Sequence, residues 1–297
     1  MAAIRTLDDS NLTIGKMMLG TQGQSRGSVK QMVHDGDTIN VRPDGNLGVR
    51  FLGIDTPEVS FQAPNSNRFL PLTDPKWEQF LSDPFADKWG EFNRPLPVGL
   101  QRHLQSHVGS GVAASHLRHA RAAEDFLEQE IAKDVRILDQ TLETFRFFLA
   151  FGFEVMDGYG RLLGYLNREQ PNRNEPEPRP LTYNERLLKA GRAFPYYIWP
   201  NINPFRRNTL SADQSKPSLI NAVPKPGTQK TLAEADTTLS RTFEFLANAR
   251  NNHLGLFDAM NPMLLEPFEL RTLARRELPS RWVIDMSEND DVLLRPE

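Results

Sequence analysis

The chain has 297 residues, 39% of them hydrophobic and 25% charged, enough to bury a sizeable core in one large domain or two small ones. A formal net charge of −3 excludes a polycation, so any nucleic-acid contact must come from a local basic surface. With no cysteine, disulfides, thiolate metal sites and cysteine nucleophiles are excluded.

The first stretch, MAAIRTLDDSNLTIGKMMLG, has early acids and no continuous apolar run, so a signal peptide is not expected and the cytoplasm is favoured. No segment approaches the roughly 20 apolar residues of a membrane span. A monomer is the expected state. Residues 1–28, with the Gly/Ser/Gln-rich GTQGQSRGS, read as an N-terminal arm. Residues 29–57 predict a β-meander: VKQMV, TINVR, a Pro-Asp-Gly turn at 43–45, then LGVRFLGI. Within it, VHDGDTINV places Asp35, Gly36 and Asp37 where a strand would run, although Asp and Gly are depleted in strands.

Residues 59–111 hold many prolines and aromatics and read as an insertion with its own small apolar cluster. A surface on which bases stack is the lesser alternative for those aromatics. From about 112 to 134 the spacing predicts a helix. His103, His107, His116 and His119 are spaced for helix faces and could bind a transition metal. No cysteine or glutamate completes a known signature there, so a solvated helical surface is expected. TFRFFLAFGFEVMD (144–157) and RLLGYLNR predict two strands, followed by the proline-rich loop REQPNRNEPEPRP.

TYNERLLKAGRA predicts a helix with a capping box from Thr182 to Glu185 and Gly191 at its C-terminus. Arg186, Lys189, Arg192, Arg206 and Arg207 flank FPYYIW; a solvated basic face is the default, with a strand-binding groove as the alternative. A linker over 201–230 and a helix over about 231–252 follow. The tail 260–297 reads as a helix plus a possible strand pair, and as a packing element before a partner site.

Asp55 follows the apolar strand 49–54, and Pro57 prevents the ladder from continuing. Asp55, the Thr56 carbonyl and Glu58 therefore sit at a strand end, and they are hard oxygen donors suited to Ca²⁺ or Mg²⁺. Arg50, amid Val, Phe, Leu and Ile, needs an anionic partner. Arg161 follows a tight turn. Two guanidiniums, several acids and one metal suit phosphoryl chemistry, although a structural ion pair between these arginines and acids is the alternative.

DGDTINV, VRFLGIDTPE and DGYGRLLGYL resemble, in order, three signature segments of the staphylococcal nuclease (thermonuclease) family. NERLLKAGRAFPYYIWPN and FLANARNNHLGLFD are similar to its later helices. The resemblance covers roughly residues 29–58, 112–200 and 236–258. It implies an α+β fold, a five-stranded OB-type β-barrel with three helices, spanning 29–258 with the 59–111 insertion and a C-terminal extension at 259–297. It further implies a Ca²⁺-dependent endonuclease that cuts DNA or RNA and leaves 3′-phosphates.

By the same resemblance, Asp37, Asp55 and the Thr56 carbonyl hold Ca²⁺, with Asp35 supporting them. Glu58 positions the attacking water, and Arg50 and Arg161 bind the phosphate. Tyr159, and less directly Tyr196 and Tyr197, contact substrate. Gly158 stands where the family often has a lysine. A catalytically silent nucleic-acid or protein-binding module of the same fold is the second expectation.

Overall fold

The computed structural model describes residues 2–7, 13–20, 33–35, 38–64, 66, 68–89, 96–169, 180–198, 201, 238–278, 283–285 and 292–294. The architecture is α+β, with several small sheets and no barrel closed among the described residues. β1 (Ile4–Thr6) pairs antiparallel with β2 (Thr13–Gly15), and β3 (Met17–Leu19) follows. β4 (Val33–Asp35) pairs with β5 (Thr38–Ile39), and β6 (Val41–Pro43) returns to pair with β3.

The apolar strand expected over 49–54 is two strands, β7 (Val49–Phe51) and β8 (Gly53–Asp55), broken at Leu52. Gly53 makes the break with φ +75°, and a Cβ there would lie 2.8 Å from the Tyr197 ring. β9 (Ser60–Gln62) and β10 (Phe69–Pro71) form a hairpin. α1 (Pro75–Ser82) starts with proline in its first turn, and the Asp74 carboxylate accepts from the Lys76 N–H at 2.9 Å. α2 (Val98–His107) and α3 (Val112–Ile137) complete the middle of the chain.

β11 (Phe147–Met156) and β12 (Leu162–Arg168) are antiparallel, and β12 runs parallel to β7 with Leu163 opposite Arg50. The strands that carry Arg50 and follow Arg161 thus lie side by side. α4 (Tyr183–Lys189) carries the expected capping box, Thr182 with Glu185, and Gly191 follows it at φ +63°. Its Asn184 stitches the broken strand to the sheet: Nδ2 donates to the Leu52 carbonyl at 2.8 Å, and Oδ1 accepts from the Leu166 N–H at 3.0 Å. β13 (Phe194–Tyr196) then pairs antiparallel with β8, setting Phe194 opposite Asp55.

α5 (Thr238–Asn251), α6 (Pro267–Arg275) and the antiparallel pair β14 (Val283–Asp285) and β15 (Val292–Leu294) finish the chain. This helix and strand pair agree with the sequence reading of the tail. No described helix is long and apolar enough to cross a membrane.

A buried ionic knot holds α3 against the sheet and α4. Asp134, 2% exposed, accepts from Arg168 Nη1 at 3.0 Å and from the Tyr183 hydroxyl at 2.9 Å, and pairs with Arg186 Nη2 at 2.8 Å. Removing one partner of such a knot strands a buried charge. Arg186, expected on a solvated basic face, is therefore a largely buried residue whose second acid partner is Glu130 at 3.0 Å.

The apolar cluster expected within residues 59–111 extends beyond them. Phe61, Leu72, Trp77, Phe80, Leu81 and Leu104 pack with Val112 and Leu117 of α3 and with Leu265, Leu270 and Leu273 from the C-terminal end. Residues 61–104, α3 and the segment 265–274 thus share one apolar cluster, and α6 is a structural element of the core. Leu270 is fully buried in it. We expect Leu270→Ala to cost about 2–5 kcal/mol, read as a lowered midpoint in denaturant unfolding. A surface-like loss below about 0.5 kcal/mol would show that α6 is not packed there.

Candidate functional site

Asp55 is the centre of the site. It closes β8 and is 3% exposed, so its carboxylate needs partners that water cannot supply. Two arginines meet it. Arg50, from the neighbouring β7, reaches Oδ1 with Nη2 at 3.1 Å. Arg271, from α6, reaches Oδ2 with Nη2 at 2.5 Å and Oδ1 with Nη1 at 3.0 Å, a bidentate clamp.

The same Arg271 Nη1 donates to Glu58 Oε1 at 2.9 Å. One cationic nitrogen therefore stands between the two carboxylates that the sequence singles out. Burial works against the Arg271 charge, but Asp55 and Glu58 outweigh it and hold its pKa above the ordinary arginine range. The guanidinium also lies 5.9 Å from the centre of the Tyr196 ring. Burial, reinforced by the Asp55 charge, raises the Tyr196 phenol. Arg50, Thr56 and Glu58 also line a groove of about 370 Å³ floored by Ile54, Ala123 and Leu187.

Glu58 is held from behind. Its backbone N–H donates to His116 Nε2 at 2.8 Å, which puts the imidazole proton on Nδ1, facing the Leu265 carbonyl at 3.2 Å. Burial lowers the His116 pKa to about 3. His119, 5% exposed, meets the Asn261 carbonyl at 2.9 Å, and burial lowers its pKa too. The expected solvated histidine face is thus corrected for these two. They are neutral internal ties from α3 to the chain preceding α6.

His103 and His107 differ. One turn apart on α2, they meet a carboxylate that the sequence reading did not bring there: Glu269 Oε1 lies 2.6 Å from His103 Nε2 and 3.1 Å from His107 Nδ1. These three ligand atoms lie within 4.8 Å of one another, a group that could hold a metal ion.

The other expected residues divide. Arg161 pairs with Asp157, Nε to Oδ2 at 2.8 Å and Nη2 to Oδ2 at 2.7 Å, an acid outside the predicted set. It also lies 5.3 Å from the centre of the exposed Tyr159 ring. The Tyr159 hydroxyl accepts from Arg275 Nη2 at 3.1 Å, so α6 reaches this edge as well. Tyr197 is a correction: it is 2% exposed, and its hydroxyl bonds Thr242 Oγ1 at 2.7 Å, so its ring is core and not a substrate contact. Asp37 lies outside the described residues, and of Asp35 only the backbone, in β4, is described.

Of the expected donors, the Asp55 and Glu58 carboxylates are hard oxygens that converge on one positively charged atom, as a hard cation requires. The same oxygens are what Arg271 uses, so guanidinium and metal are alternatives at that point. Sequence reasoning missed Arg271 and Glu269, and named His116 without its buried role behind Glu58. The signal was present only as a helix carrying Arg271 and Arg275 four residues apart, a spacing that puts both on one face.

No family model, curated protein or solved structure matches the chain.

The folded His116 pKa is below its unfolded value, so its contribution to stability is complete above about pH 6.5. It is lost as pH falls toward about 3. We expect His116→Gln, whose amide oxygen can still accept from Glu58, to lose less stability than the parent between pH 7 and pH 4.5. Urea unfolding at the two pH values measures this. Equal losses would mean that His116 is not the buried neutral group described.

Proposed function

We propose that the chain is a thermonuclease-like phosphodiesterase, an OB-type barrel enzyme that cleaves DNA or RNA with Ca²⁺ by water attack and leaves 3′-phosphate ends. One observation carries the reading: Asp55 and Glu58 converge on a single cationic atom at a strand end, with Arg50 on the adjoining strand. Phosphodiester cleavage needs positive charge on the non-bridging oxygens and a carboxylate to aim water.

In this reading Asp37, Asp55 and the Thr56 carbonyl hold Ca²⁺, which supplies Lewis-acid charge to the phosphate. Glu58, its backbone pinned by His116, orients the water and takes its proton. Arg50 and Arg161 exchange their aspartates for the phosphate oxygens and hold them as charge develops. Arg271 must leave the acids for this to happen, because Ca²⁺ needs the same oxygens.

Arg271 also favours the second reading, a binding module of the same fold. A guanidinium that satisfies both acids leaves a site that can hold nucleic acid without turning it over.

The assay is cleavage of single-stranded DNA and RNA with Ca²⁺ or EGTA. The expected result is Ca²⁺-dependent cleavage that falls about 10²–10³-fold in Arg50→Ala. Undiminished cleavage by an Arg50→Ala, Glu58→Ala double variant would sink the nuclease reading. Binding without turnover, in both the parent and Arg271→Met, would establish the module.

Arg271→Met also tests the competition directly. Without divalent cation it leaves Asp55 with Arg50 alone and is expected to cost about 3–5 kcal/mol. Millimolar Ca²⁺ is expected to restore part of that loss in the variant and to do little for the parent. Thermal melts with and without Ca²⁺ read the difference, and equal Ca²⁺ effects on both proteins would overturn the shared site.

A further inference from the structure

We propose that His103 Nε2, His107 Nδ1 and Glu269 Oε1 form a binding site for a first-row divalent transition metal ion of the zinc class, fastening α2 to α6. The site is separate from the acid pair at Asp55 and Glu58. Its ligands are two imidazoles and a carboxylate, which select a borderline metal over Ca²⁺.

The geometry is set from both sides. On α2 the two histidines lie one turn apart with ring centres 4.3 Å apart and planes at 86°, so they present one Nε2 and one Nδ1 to the same point. On α6, Glu269 has 1% of its surface exposed. Its Oε2 is committed to the Glu266 N–H at 2.7 Å in the capping box that starts the helix. Only Oε1 is turned to the histidines, so the carboxylate is oriented by a backbone bond in the way that metal-ligating carboxylates are.

The histidine side chains are 52% and 37% exposed, which gives the ion an entry path. A cavity of about 350 Å³ bordered by His107, Glu266 and Glu269 leaves room for water to complete the coordination. Three protein ligands with an open position are the pattern of zinc sites that retain a water.

The ion would join residues 162 and 166 positions apart. Glu269 precedes Arg271 by two residues on a nine-residue helix. A metal that fixes Glu269 therefore fixes the helix that carries Arg271 into the Asp55 and Glu58 pair.

The test uses the full chain, stripped with chelator and dialysed, then titrated with Zn²⁺ against a chromogenic zinc indicator. One zinc per chain is expected, undisturbed by millimolar Ca²⁺, with a raised melting temperature on binding. His103→Ala and His107→Ala replace partly exposed side chains, and circular dichroism at 222 nm checks that both variants fold. Each is expected to weaken zinc binding at least about tenfold and to lose the thermal shift. A parent that retains no zinc at micromolar concentrations overturns the site. So does a His103→Ala, His107→Ala double variant that binds zinc as the parent does. Displacement of zinc by Ca²⁺ would also overturn it. Each of these readouts is metal content or melting temperature, so they stand whether or not the chain cleaves nucleic acid.

Discussion

Asp55 is a carboxylate with 3% of its surface exposed, placed where β8 must stop because Pro57 cannot continue the ladder. A buried carboxylate without partners is among the most costly groups a fold can contain. Arg50 and Arg271 together remove that cost, one from the adjacent strand and one from a helix near the far end of the chain. The position of α6 is therefore dictated twice, by the charge it delivers and by the apolar face it buries.

That second constraint explains the rest of the C-terminal architecture. Leu265, Leu270 and Leu273 fill the cluster built by Trp77, Phe80 and Leu104, so these residues of α1 and α2 form a bed on which α6 lies. His116 and His119 tie α3 to the residues leading into that helix. Glu58, whose N–H meets His116, is thereby coupled to the same assembly. Residues 59–111 meet α6 through this apolar cluster, while α6 supplies the guanidinium that meets Asp55 and Glu58.

Local features were legible in the sequence. The capping box Thr182–Glu185, the turn at Gly191 and the long helix after residue 111 depend on neighbours a few positions away, and each is present in the structure. The α+β class was legible on the same grounds, and so was the strand end at Asp55. What stayed hidden depends on distant partners. Nothing near Asp55 announces Arg271, and nothing near His103 announces Glu269.

Two readings were hidden for a different reason. Asp157 lies four residues before Arg161 and claims it locally, a pairing available in the sequence but overshadowed by the resemblance. Tyr196 and Tyr197 are adjacent where a strand ends, and adjacent strand side chains point to opposite sides, so only one of them could face the cleft. Tyr196 is the one beside Arg271, and Tyr197 goes to the core.

The separation of 216 residues between Asp55 and Arg271 sets an order of events during synthesis. At about 5–20 residues per second, the acid leaves the ribosome some 10–40 s before its guanidinium is made. During that interval the nascent chain carries an open pair of carboxylates beside Arg50, with no α6 to close them. A chain that has not yet made α6 is thus chemically different at this position, and α6, made after the other described helices, is the element that changes it.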